Sequence, residues 1–163
     1  MNSRYPALFW ILVVLTVFRT SDAAAEIRLP SVISNNMVLQ RDRANPIWGW
    51  EDPDAKITIA IDGRSVSTTA GADGRWRAAL PSFPTRRDPL QIQIRSSTGS
   101  ERTIKNVLVG EVWICSGQSN MEWRVSQCAN PKEEIAKSNH PQIRLFDVPG
   151  HTTHPLPQRE GKG

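Results

Sequence analysis

The residues Gly110-Glu111-Val112-Trp113-Ile114-Cys115-Ser116-Gly117-Gln118-Ser119-Asn120-Met121-Glu122-Trp123 change character at Ser116, apolar before it and small or polar after it. An apolar run such as Val112 to Cys115, bounded by turn-forming residues, is expected to be a strand buried on both faces, as in the centre of a parallel sheet. Ser116 to Asn120 then let the backbone turn at the carboxyl end of that strand, where open α/β sheets form their ligand crevices. A hydroxyl there, that of Ser119, is suited to attack an ester carbonyl. Backbone N–H groups at a strand-to-helix turn are suited to receive the resulting oxyanion. Gly117 permits close approach of a substrate. Met121 stands where a Gly-x-Ser-x-Gly elbow has its second glycine, so this is a different serine motif.

This segment resembles the first block of the SGNH hydrolases and, within them, the sialate O-acetylesterase family. Leu29 to Gln40 with Ile47-Trp48-Gly49-Trp50 upstream, and Ile143-Arg144-Leu145-Phe146-Asp147-Val148-Pro149 downstream, also look like that family, and in the same order. The resemblance covers nearly all of the chain after a leader. It implies a carbohydrate esterase that hydrolyses O-acetyl esters on sialic acid or related sugars, so an O-acetylated sugar or glycan is the implied partner. Ser119 is then the nucleophile and a backbone oxyanion donor, with Gly117, Gln118 and Asn120 against the substrate. Serine ester hydrolysis needs no cofactor.

The same resemblance implies a histidine and an aspartate from a late Asp-x-x-His block, and a glycine and an asparagine from intermediate blocks that complete the oxyanion hole. This sequence has no counterpart of those blocks. Of its three histidines, His140 falls in a loop before Pro141, and His151 and His154 fall in a Pro-rich tail. Asp147 precedes His151 by one residue too many for the motif. Neither a general base nor a metal site is read from them, because a base must reach the nucleophile and a metal site needs further ligands at a telling spacing. The expectation is a truncated hydrolase domain, inactive or nearly so by itself, whose remainder is separately encoded.

Outward from the serine segment, Met1 to Ala25 carries an early Arg4, an apolar run from Ala7 to Phe18 and an Ala23-x-Ala25 spacing. These read as a cleaved secretory signal, the run being shorter than the ~20 residues a spanning helix needs. The expected location is secreted or periplasmic, with no membrane association after cleavage. The basic residues number 20 against 16 acidic ones and are scattered. No continuous basic stripe or recognised module is present, which argues against a nucleic-acid partner.

Between the leader and Gly110 the pattern is β. Lys56 to Ile61 alternates, Asp62-Gly63 signals a hairpin into Arg64 to Ala70, and Asp73-Gly74 leads into Arg75 to Leu80. Leu90 to Arg95 repeats the period of two, and after Thr98-Gly99-Ser100 comes another strand candidate, Arg102 to Leu108. Short antiparallel strands with one apolar face close by packing two sheets together. Trp48, Trp50 and Trp76 read as core residues before they read as a sugar platform, because aromatics at alternating strand positions are usually buried.

After the serine turn, Asn130-Pro131 with Glu133 signals a short helix ending by Asn139, and Gln142 to Val148 reads as a strand, completing a βαβ crossover. Cys115 is expected in the buried strand, and a disulfide to Cys128 is left open. The expected fold class is α+β: an N-terminal antiparallel β-sandwich, 26–109, followed by the first βαβ unit of a truncated SGNH-type α/β hydrolase domain, 110–149. A signal peptide, 1–25, precedes them and a disordered tail, 150–163, follows. A second function class remains, a non-catalytic β-sandwich that binds carbohydrate or another partner.

Overall fold

A computed structural model describes residues 26–148, so the expected leader and tail, with His151 and His154, lie outside the described residues. The seven strands are β1 Val38–Gln40, β2 Asn45–Trp50, β3 Lys56–Ile61, β4 Arg64–Thr69, β5 Arg75–Leu80, β6 Arg86–Ser96 and β7 Glu101–Gly110. Among the described residues one α-helix, α1 Pro131–Lys137, follows two short 3₁₀ turns. The fold is mostly strand with one helix, an α+β arrangement.

Two sheets form. The larger has the order β1-β7-β6-β3-β4 and is mixed, because β1 runs parallel to β7 while its other neighbours are antiparallel. The smaller pairs β2 with β5 in antiparallel register, Ile47 opposite Ala78 and Gly49 opposite Trp76. The period of two sends Ile57, Ile59 and Ile61 of β3 and Leu90, Ile92 and Ile94 of β6 into the interior. Ile47, Trp76 and Leu80 of the β2–β5 pair enter the same core. Alternation therefore sets which side of each strand faces inward, and burial of these side chains is the main stabilising term.

Turn chemistry sets the connections. Asp62 and Gly63 both have positive φ, 50° and 71°, as a type I′ hairpin requires, and Ile61 pairs with Arg64 across them. Asp73-Gly74 works differently: it carries the chain from β4 in the large sheet to β5 in the small one. Gly74 has φ +74° and a Cβ there would lie 2.6 Å from the Glu51 carbonyl oxygen, so a side chain is excluded twice over. In β6, Pro89 lacks a ladder donor and falls where the β6–β7 register shifts. Asn106, at φ 56°, bends β7 at the second shift, and its side-chain amide donates to Asn36 at 2.6 Å.

Glu51 is the buried charged residue of this core, 6% exposed. Its carboxylate accepts from Thr98 Oγ1 at 2.7 Å and from Ser100 Oγ at 3.2 Å, and its N–H donates to the Gly74 carbonyl at 2.9 Å. One residue after β2 thus joins the β4–β5 and β6–β7 turns. Hydrogen bonding is what makes a carboxylate tolerable there.

The expected parallel-sheet strands do not form. Val112–Cys115 has no strand structure, with Trp113 81% and Ile114 93% exposed, and residues 142–148 likewise have none, with Leu145 94% exposed. Cys115 is exposed rather than buried, and both it and Cys128 are free thiols. The physical reason is the absence of neighbours. A strand buried on both faces needs adjacent strands to pair its backbone and layers to cover its side chains, and the described residues provide neither beside these segments. The helix of the expected βαβ unit does form.

Replacing Ile59 with Ala is expected to destabilise the chain by about 2–5 kcal/mol, and Glu51→Ala by about 1–3 kcal/mol, through hydroxyls left without their acceptor. Urea unfolding followed by tryptophan fluorescence checks both, as a lowered midpoint at unchanged slope.

Candidate functional site

The serine segment leaves the β portion at the end of β7, and a compact polar clamp fixes its first two residues. Gln40 Nε2 donates to Glu111 Oε2 at 2.9 Å and Arg41 Nε to Glu111 Oε1 at 2.5 Å, while Gln40 Oε1 accepts from the Val112 N–H at 2.8 Å. The Arg41 N–H donates to the Gly110 carbonyl at 2.9 Å. The loop after β1 thus grips both backbone and side chain at the start of the segment. Gln40's donated hydrogen bond, then Arg41's, hold the Glu111 carboxyl below the usual glutamate range, and Glu111 raises the Arg41 guanidinium in turn. No periodic pattern marks this clamp, since its halves are some 70 positions apart.

Beyond Val112 the backbone is irregular until Ser119, which opens the 3₁₀ turn Ser119–Glu122. Gln118 precedes it in an extended conformation, its carbonyl accepting from the Met121 N–H at 2.9 Å. Met121 folds over Gly117, where a Cβ would lie 2.7 Å from Met121 Cγ. Gly117, Gln118, Ser119 and Asn120 therefore lie together in one exposed turn. A second 3₁₀ turn, Val125–Gln127, is braced by Trp123 Nε1 donating to the Gln127 carbonyl at 3.3 Å.

Asn130 occupies the N-cap position of α1 with Pro131 at its first turn, as the sequence predicts. Its backbone is left-handed, however, with φ 53°, and its side chain makes no capping bond. His140 is exposed in the following turn, its N–H donating to the Ser138 carbonyl at 3.0 Å. Among the described residues no side chain hydrogen-bonds the Ser119 hydroxyl, and no group of three metal-ligating residues forms. No helix among them is long and apolar enough to cross a membrane. Of the aromatic residues, Trp76 is core, as expected, Trp48 is half-buried and packs against that core, and Trp50 is half-buried.

The chain has relatives among known proteins. The chain is 31% identical over 150 residues to the sialate O-acetylesterase of Mus musculus, covering 84% of this chain and 27% of that protein. It is 30% identical over 160 residues to the sialate O-acetylesterase of Rattus norvegicus, covering 91% and 29%. Over most of its length the sequence resembles the sialate O-acetylesterases. The likeness in fold is to the crystal structure of a carbohydrate acetylesterase from Xanthomonas citri, with TM-score 0.76 and 35% identity, covering 84% of this chain and 31% of that one. No family model matches the chain. It spans less than a third of the length of these sialate O-acetylesterase relatives.

The clamp predicts an acid-dependent attachment. A carboxyl whose folded pKa is depressed contributes stability above its unfolded value and loses it as pH falls through the folded one. Carboxyl-carbon NMR is therefore expected to show Glu111 titrating below an ordinary glutamate, and Gln40→Ala to move that midpoint upward. An ordinary midpoint in the unsubstituted chain would contradict the clamp.

Proposed function

We propose that this chain is the serine-bearing portion of a carbohydrate esterase of the sialate O-acetylesterase type, acting on O-acetyl esters of sialic acid or related sugars. The observation that carries this is the Gly117-Gln118-Ser119-Asn120-Met121 turn, clamped at the exit of a β module, in a chain related by sequence and fold to acetylesterases. The supporting chemistry is acyl transfer. Ser119 Oγ attacks the acetyl carbonyl, its proton passes to a base, and the Ser119 N–H donates to the oxyanion. The sugar alkoxide leaves with a proton from that base, and water then hydrolyses the acetyl-enzyme.

The exposed Ser119 hydroxyl has no base bonded to it among the described residues, and an unactivated hydroxyl is a weak nucleophile at neutral pH. On our reading the base belongs to an Asp-x-x-His block of an SGNH-type domain outside these residues, and these residues alone are inactive or nearly so. On the same reading residues 26–109 are a β-sandwich domain and 110–149 begin the hydrolase domain. A cleaved signal at 1–25 directs the protein to the periplasm or the exterior.

Exposure of Val112, Trp113, Ile114, Ile143 and Leu145 supports the same reading, since these residues carry the apolar surface that such a remainder would cover. Acetate release from an O-acetylated sialic acid tests the reading. The chain alone is expected to match its Ser119→Ala variant. Joined to the later blocks of a carbohydrate acetylesterase, it is expected to turn over, and Ser119→Ala to lower that rate by at least about a thousand-fold. Serine-dependent turnover by the chain alone would refute the missing base, and turnover of the joined protein that survives Ser119→Ala would refute the nucleophile.

A further inference from the structure

We propose that Gln40 and Arg41 are positioning residues for Ser119: through Glu111 and Val112 they carry the line of β7 on into the serine segment. The inference rests on the esterase reading and adds to it, because it makes the β module part of what presents the nucleophile.

The geometry begins in the ladder between β1 and β7. The Leu108 N–H donates to the Met37 carbonyl at 3.0 Å, and the parallel register runs on to Gln40 opposite Gly110. Bonds in a parallel ladder are evenly spaced, so two steps further the Val112 N–H would meet the Arg41 carbonyl. By then β1 has ended. Asp42 is left-handed, at φ 57°, and its N–H donates at 2.8 Å to the Phe83 carbonyl in the loop before β6. The Gln40 side chain stands in for the missing acceptor, its Oε1 taking the Val112 N–H at 2.8 Å. The ladder thus gains a step that the strand itself does not supply.

This side chain is aimed from a fixed base. Asn45 Oδ1 accepts from the Gln40 N–H and Asn45 Nδ2 donates to the Gln40 carbonyl, both at 2.9 Å. With its oxygen committed to Val112, the Gln40 amide turns Nε2 to one oxygen of Glu111, while Arg41 Nε donates to the other. Arg41 is held in turn, its N–H by the Gly110 carbonyl and its Nη1 by Asp42 at 2.7 Å. Both oxygens of one carboxylate and one backbone N–H are therefore fixed on the first two residues after β7.

The Arg41 and Glu111 side chains are 45% and 48% exposed, and ion pairs so exposed add little to folding. Their leverage on direction is larger. From Glu111 to Ser116, five residues on, a strand reaches about 16 Å, so a tilt of about 5° at the clamp moves the serine turn by about 1.4 Å. A misplacement of about 1 Å can cost a reaction about a hundredfold in rate.

Two measurements test the inference. In the ¹⁵N-labelled full chain, the Glu111 and Val112 amides are expected to give heteronuclear NOE values equal to those of β7, and Gln40→Ala to lower them while leaving Ile59 unchanged. Values that Gln40→Ala does not lower overturn the proposal. In the full chain joined to the later acetylesterase blocks, Gln40→Ala and Arg41→Ala are each expected to lower kcat about tenfold or more with KM within about twofold, and Arg41→Lys to recover part of the loss. Arg95→Ala, which breaks the exposed Arg95–Glu101 pair at 2.9 Å, is the control for loss of a surface ion pair and is expected to leave kcat unchanged. Unchanged kcat in the clamp variants, or a loss matched by Arg95→Ala, overturns the inference and leaves the esterase reading standing. Absence of Ser119-dependent turnover before any clamp substitution refutes the esterase reading and the inference with it.

Discussion

The buried isoleucine layer on the large sheet is the constraint on which everything else depends. Ile59 lies opposite Ile94 and Ile61 opposite Ile92 within the large sheet, and Ile47, Trp76 and Leu80 close over them from the small one. Close packing leaves little freedom there. A Cβ on Gly49 would lie 2.8 Å from Cζ2 of Trp76, so the strand facing this ring must be bare at that point. Because these inward positions are filled, the outward positions of the same strands are fixed as well. Trp48 thereby falls opposite Arg77 and Trp50 opposite Arg75.

The serine segment has no comparable layer. From Glu111 onward the described residues are nearly all exposed, including apolar side chains that a folded domain ordinarily covers. What it has is a defined point of departure, the Glu111 clamp, and locally closed turns that keep Gly117 to Met121 together. The module and the segment thus differ in the origin of their order. The module is held by burial of its apolar faces, and the segment by the Glu111 clamp and by hydrogen bonds within its own turns.

That difference also explains what the sequence disclosed. The alternating strands from Lys56 to Leu108 and the Asp62-Gly63 hairpin were legible because period and turn chemistry are local properties. The short helix at Pro131 was legible for the same reason. Val112 to Cys115 and Gln142 to Val148 carry strand composition, but a strand exists only with a neighbour, and composition does not reveal whether one is present. Trp76 reads correctly as core from its place in the alternation. Gln40, Arg41, Glu111 and Glu51 carry no such local mark, because their roles come from contacts between distant parts of the chain. The serine turn itself was plain from its residue types, while its exposed setting was not.

Order changes near the clamp: the strands up to Gly110 pack around a buried core, and the serine segment after it is exposed. Amide hydrogen exchange on the purified chain measures this most directly. The N–H groups of Ile59, Ile94 and Val107 are expected to exchange only through global unfolding, and those of Trp113 to Gln118 at close to unprotected rates. Protection of Trp113 to Gln118 equal to that of the β strands would contradict the account.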